Sequence, residues 1–223
     1  MSDYYSERLS GERLRLCYQL APPDVQAYLD AEVRFILTFV RPGARVLELG
    51  CGYGRVLGPL IGSAALAVGI DLSLLSLALA RRLLCNQRGF ALAQMDAADL
   101  AFRHSTFDLV CCPQNGISAF HIDQRSLIAS AVRLVARGGK ALFFSYADDF
   151  WPHRLAWFRI QAANGLIGPI DESATGNGVI VCHDGFTAST VTPGRFAELA
   201  RGIGSAVAVS VLGGASVVCT ISV

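Results

Sequence analysis

Between residues 45 and 145 the chain repeats one unit: a short apolar run, a turn, and a longer stretch with helical spacing. The runs fall at 45–49, 66–70, 90–95, 107–112 and 141–145. Strands joined through a helix are not hairpin partners. Each crossover brings the chain back in the same direction, so neighbours lie parallel and the helices pack on the sheet faces. The pattern predicts an α/β fold: a doubly wound, mostly parallel sheet with helices on both faces. Local signals place the helices. Ser73 caps one reaching residue 85, and Asp123 starts one reaching 136 that Gly138-Gly139 ends. Ahead of the repeat, Pro22-Pro23-Asp24 opens a helix with Val25, Leu29, Val33 and Val40 on one stripe, stopped by Pro42-Gly43.

The pattern changes after Tyr146. Residues 151–164 read as a helix, 165–178 as a loop, and 179–182 with 186–190 as a hairpin around His183-Asp184-Gly185. Pro193 sits in the first turn of a helix reaching 201. The 22 residues after Arg201 carry no charge, which raises the question of a membrane anchor. Gly213-Gly214 divides them into two Val-rich stretches, so an antiparallel C-terminal hairpin is expected and no membrane span. The expected organisation is a single domain: an N-terminal helical cap (1–43), a ligand-binding core (44–146), a helix–loop–hairpin insertion (147–192) and a C-terminal helix with its strand hairpin (193–223).

Composition excludes several function classes. With 52% hydrophobic and 17% charged residues, disorder is not the dominant state. A net charge of +1 argues against nucleic acid as the main partner, which calls for a basic surface. The seven cysteines form no CxxC pair, so reduced thiols, a cytoplasmic location and no metal are expected. The N-terminal stretch is polar and charged, unlike a signal peptide. A monomer or homodimer fits this composition.

In an open α/β sheet, ligands bind beyond the carboxyl ends of the strands. Three successive runs end at acids there: Glu48, Asp71 and Asp96, spaced 23 and 25 residues apart. Between the first run and its helix lies Gly50-Cys51-Gly52-Tyr53-Gly54-Arg55. The first two glycines match a dinucleotide fingerprint, but Arg55 stands at the third position of GxGxxG. A pyrophosphate site departs from pattern there, whereas a ligand without phosphates needs only a close backbone. The glycines could also serve a tight turn alone.

At these residues the sequence resembles the class I S-adenosylmethionine-dependent methyltransferases. ValLeuGluLeuGlyCysGlyTyrGly at 46–54 looks like their first motif, GlyIleAspLeuSer at 69–73 their second and MetAspAlaAlaAspLeu at 95–100 their third. PheAspLeuVal at 107–110 and LeuValAlaArgGlyGlyLysAlaLeuPhePhe at 134–144 resemble their fourth strand and the approach to their fifth.

The resemblance implies a seven-stranded, Rossmann-like sheet with a reversed last strand and S-adenosyl-L-methionine as cofactor, released as S-adenosyl-L-homocysteine. It implies that Gly50, Cys51, Gly52, Tyr53 and Gly54 underlie the methionine portion and Glu48 fixes its ammonium. Asp71 would take the ribose hydroxyls, with Leu72 beside it. Asp96 and Ala97 would take the adenine, and Cys112 and Gln114 would line the floor beneath the sulfonium.

On the acceptor side, Asn115 and His121 follow the fourth strand, His183 lies in the hairpin, and Tyr5 with Tyr4 and Arg8 could form a lid. His121 and His183 are the candidate proton acceptors, and Tyr5 and Asn115 the candidate substrate contacts. Phe150, Trp151, Trp157 and Phe158 read as core packing before pocket wall. The loop Cys112-Pro113-Gln114-Asn115 lacks the pattern of enzymes that methylate DNA-base amines, which favours a small-molecule acceptor. The expected activity is methyl transfer to its N or O atom. The rival readings are a non-catalytic scaffold or partner subunit, and a nicotinamide-dependent oxidoreductase.

Overall fold

Apolar alternation decides the sheet. The computed structural model describes residues 4–223. Three helices, α1 (Tyr4–Glu7), α2 (Glu12–Gln19) and α3 (Pro23–Leu37), precede β1 (Arg45–Leu49). Then come α4 (Leu57–Ile61), β2 (Leu66–Asp71), α5 (Leu74–Leu83), β3 (Phe90–Gln94) and β4 (Phe107–Cys112). Helices α6 (Gly116–Ala119) and α7 (Gln124–Leu134) lead into β5 (Val135–Tyr146), and α8 spans Trp151–Ala163. The short hairpin β6 (Ile180–Val181) and β7 (Thr187–Ala188) follows. Helix α9 (Pro193–Leu199), β8 (Ala206–Leu212) and β9 (Ser216–Ser222) complete the chain.

The main sheet has seven strands in the order β3-β2-β1-β4-β5-β9-β8. Strands β1 to β5 are parallel, and β9 runs antiparallel between β5 and β8. This is the expected class I methyltransferase-like sheet with its reversed strand. Ser73 caps α5 by accepting from the Ser76 amide, and Asp123 caps α7 by accepting from Ser126.

One expectation fails at Gly138-Gly139. Helix α7 passes into β5 at Val135 with no intervening loop, so the two glycines lie inside the strand. The register against β4 shifts between Phe107 and Leu109. A Cβ on Gly139 would stand 2.5 Å from the Asp108 carbonyl, and Gly138 has φ 80°. The pair makes a bulge, a close backbone approach that only glycine permits.

Strand alternation sends Leu47, Val110 and Phe143 to the face covered by α7 and α9, and Val46, Leu109 and Leu142 to that covered by α3 and α4. A third apolar cluster joins Leu9, Cys17, Val25, Tyr28, Tyr146, Trp157, Phe158 and Phe186. Phe150 belongs to it and Trp151 packs on its edge, so the aromatic set of α8 is core. The Trp157 indole donates to the Cys17 carbonyl at 2.9 Å, tying the N-terminal helices to α8. Among the described residues, no helix is long and apolar enough to cross a membrane.

Candidate functional site

Strand order reverses between β1 and β4, so a crevice opens where their carboxyl ends part. Glu48, next to last in β1, is 2% exposed and lines a small cavity there with Gly50, Gly52, Arg55 and Gln114. Its Oε2 has no accessible surface and no hydrogen-bond partner. Burial pushes this carboxyl well above the usual carboxylate range, and Arg55 partly offsets the rise.

The glycine bend is held from β2. The Cys51 amide donates to the Ile70 carbonyl at 2.9 Å, and the Gly52 amide to Asp71 Oδ2 at 2.8 Å. Asp71 Oδ1 accepts from the Ser73 amide at 2.8 Å, so one carboxylate shapes both the bend and the start of α5. Gly50, Gly52 and Gly54 all have positive φ, a run of left-handed positions that other residues rarely adopt. The Cys51 side chain lies against Gly69, where an added Cβ would come 2.7 Å from its sulfur. Leu72, at 41% exposure, and Asp96 continue the edge outward; Asp96 accepts from the Ala98 amide in a tight turn, and Ala97 is buried behind it.

The N-terminal helices cover this edge. The Gly11 amide donates to Ser76 Oγ at 3.0 Å, and Glu12 pairs with Arg82 of α5. Leu14 rests over Gly52, and the Phe120 ring lies on Gly50, 2.7 Å from where its Cβ would be. Tyr18 packs on Tyr53, carries the Arg55 guanidinium 4.8 Å over its ring, and donates to Gln114 Oε1. The cavity left is about 50 Å³. That is well below the roughly 300–1,000 Å³ of a usual ligand pocket, so the capped bend is narrow.

Several of these groups escaped the sequence reading. Glu32 of α3 is fully buried and accepts from the Gln114 amide at 2.8 Å and from Ser216 Oγ at 2.6 Å. It pins Gln114, whose φ is 57°, to the last strand. Gln114 Nε2 donates to the Tyr146 hydroxyl at 3.0 Å. Glu32 lies on the α3 stripe among Val25, Leu29 and Ile36, and a lone acid on an apolar face was its only signal.

Of the residues singled out by sequence, Glu48, Gly50, Cys51, Gly52, Tyr53 and Gln114 meet at one cavity, and Gly54 does not line it. Cys112 lies fully buried beneath them. Asn115 is engaged within the chain at both ends of its amide, donating to the Ser189 carbonyl and accepting from Ser145 Oγ. Tyr5 packs edge-on against Phe186. The structure does not bring the two histidines to the bend. His121 is exposed in a left-handed turn (φ 52°), and its neighbour Phe120 reaches Gly50 instead. His183 points outward, 4.0 Å from Asp171, with 63% of its side chain exposed.

Residues 46–139 match the family described as "Methyltransferase domain". No curated protein matches the sequence. Among solved structures, the PH0226 protein from Pyrococcus horikoshii aligns over 100% of this chain and 99% of its own, with 17% identity and a TM-score of 0.65. DhpI, solved with SAM and HEP, aligns over 97% and 93%, with 20% identity and a TM-score of 0.64. The chain spans about half the length of two further matches, 44% of the [4+2]-cyclase SpnF and 54% of a Mesorhizobium loti methyltransferase.

Proposed function

We propose that this chain, whose residues 46–139 match a methyltransferase domain, is a class I S-adenosylmethionine-dependent methyltransferase that binds its cofactor at the glycine bend and methylates an N or O atom of a small molecule. The observation that carries this reading is the Glu48 carboxylate, buried and unpartnered at one oxygen inside the bend. An unpaired buried acid is costly, and a cationic ligand removes that cost.

The residues fit the cofactor. Glu48 would hold the ammonium, and Arg55, across the same cavity, the carboxylate of the amino-acid end. Asp71, which already accepts from the Gly52 and Ser73 amides, would take the ribose hydroxyls. Asp96 and the Ala97 backbone would meet the adenine, with Leu72 packing beside it. The cofactor supplies an activated methyl group on a sulfonium, suited to in-line displacement. The chain's own part is to orient the acceptor and exclude water. Well-oriented groups reach effective molarities of about 10⁵–10⁸ M, so positioning can carry much of the rate. Neither His121 nor His183 lines the glycine-bend cavity, and neither is given a part in the transfer.

Calorimetry with S-adenosylhomocysteine tests the proposal. Wild type binds it. Glu48→Gln, which keeps shape and loses charge, weakens binding by about 1.5–3 kcal/mol, the worth of a hydrogen bond to a charged group. Absence of binding to wild type at millimolar ligand overturns the reading.

A further inference from the structure

Arg154 of α8 is fully buried, yet it pairs with no carboxylate among the described residues. Nη1 donates to the Gly178 carbonyl at 2.8 Å and Nη2 to the Ala188 carbonyl at 2.9 Å. Nε is buried without any partner. Aromatic rings hold the cation: Tyr146 at 4.6 Å, Phe158 at 5.4 Å and Trp151 at 5.7 Å from ring centroid to guanidinium carbon.

Two carbonyls would suffice to clamp the insertion hairpin, and a neutral amide could donate to them. A permanent charge with one face left unbonded is a poor structural choice, because its desolvation is not repaid by any anion. The free Nε edge, with the adjacent Nη, presents two parallel N–H groups, the geometry that takes a carboxylate or phosphate in a fork.

Its position relates it to the proposed transfer. Arg154 stacks on Tyr146, whose hydroxyl accepts from Gln114, and Gln114 lines the glycine-bend cavity. One tyrosine ring thus separates the cation from the wall of the methyl-transfer site. Tyr5 of α1 lies close enough to Arg154 and Tyr146 to feel both electrostatically, so the N-terminal cap covers this point as well.

We propose that Arg154 is the specificity-determining anchor for an anionic group, carboxylate or phosphate, on the methyl acceptor, reached when α1 withdraws. The proposal rests on the methyltransferase reading for what the anion belongs to, but the anion site itself can be tested separately.

The test uses the full chain saturated with S-adenosylhomocysteine and titrated with benzoate, inorganic phosphate and the neutral isostere benzamide. Benzoate or phosphate is expected to bind at least ten-fold more tightly than benzamide. In protein labelled with [¹⁵N]arginine, the Arg154 Nε–H resonance, identified by its loss in Arg154→Lys, shifts on adding the anion. Arg154→Gln abolishes the preference while S-adenosylhomocysteine affinity stays within two-fold. A preference for benzoate over phosphate, or the reverse, decides between the two anion classes. Wild type that binds neither anion better than benzamide, with S-adenosylhomocysteine bound, overturns the anchor. If S-adenosylhomocysteine itself fails to bind, the methyltransferase reading falls instead, and the same titrations without it still decide the anion site. Should the variants not fold, the wild-type preference for an anion over benzamide remains decisive.

Discussion

At the scale of single residues, two buried acids behave differently because one has partners and the other waits for one. Glu48 holds its proton far above the usual carboxylate range because it is buried. An unfolded chain loses that proton near pH 4.3, the ordinary glutamate value, so between the two the folded state binds more protons and stability falls as pH rises. Glu48→Gln therefore melts higher than wild type at pH 8, and the gap closes toward pH 4. Pairing with a ligand ammonium reverses the preference. The proton leaves on binding, affinity rises with pH, and the calorimetric enthalpy differs between phosphate and Tris buffers in proportion to the proton released. An equal enthalpy in both would show that Glu48 is already ionised. Glu32, by contrast, already accepts from Gln114 and Ser216. Glu32→Ala strands both donors, at about 1–3 kcal/mol each. Glu32→Gln can still accept from Gln114, so urea denaturation separates the two variants clearly.

At the scale of elements, the alternation of strand and helix and the caps at Ser73 and Asp123 were legible because they are local: each depends on residues a few positions apart. The bulge at Gly138-Gly139 was not. A diglycine ends helices as readily as it permits a close approach, and only the Asp108 carbonyl across the sheet distinguishes the two. The site divides in the same way. Glu48, the glycines and Asp71 announce themselves by their place at strand ends. Glu32, Tyr146, Arg154 and Ser216 lie on four separate segments and join Gln114, which the sequence did single out, only when the sheet is complete. The cap over the bend is a further case, since α2 is bound to α5 by contacts between residues 11–12 and 76–82 that no local spacing reveals. Of these contacts the Gly11–Ser76 bond is buried, while the Glu12–Arg82 ion pair is exposed and worth about 0–1 kcal/mol. A cavity of about 50 Å³ requires Leu14 and Phe120 to yield before the amino-acid end of the cofactor can enter. Amide hydrogen exchange in residues 12–19 is accordingly expected to be fast in the free protein and at least ten-fold slower with S-adenosylhomocysteine bound. Unchanged exchange would mean that the cap does not respond to the bend.

At the scale of the whole molecule, the strand that closes the sheet comes last. β9 is hydrogen-bonded on both sides, to β5 and to β8, and Val217, Val218, Cys219 and Ile221 are each at most 1% exposed. They complete the cores on both faces of the sheet. A strand so placed cannot fray independently. Without it, Phe143 and Phe144 of β5 are uncovered along an open edge, and Ser216 no longer holds Glu32 behind Gln114. Removing residues 204–223 is therefore expected to abolish cooperative folding, although every motif of the glycine bend lies upstream of residue 146. Circular dichroism melts read this directly: loss of a single sharp transition is expected, together with loss of S-adenosylhomocysteine binding. A truncated chain that melted cooperatively and still bound the ligand would show that the first five strands form a self-sufficient unit. The local motifs would then carry the site without the sheet that the network of Glu32, Gln114 and Ser216 ties them to.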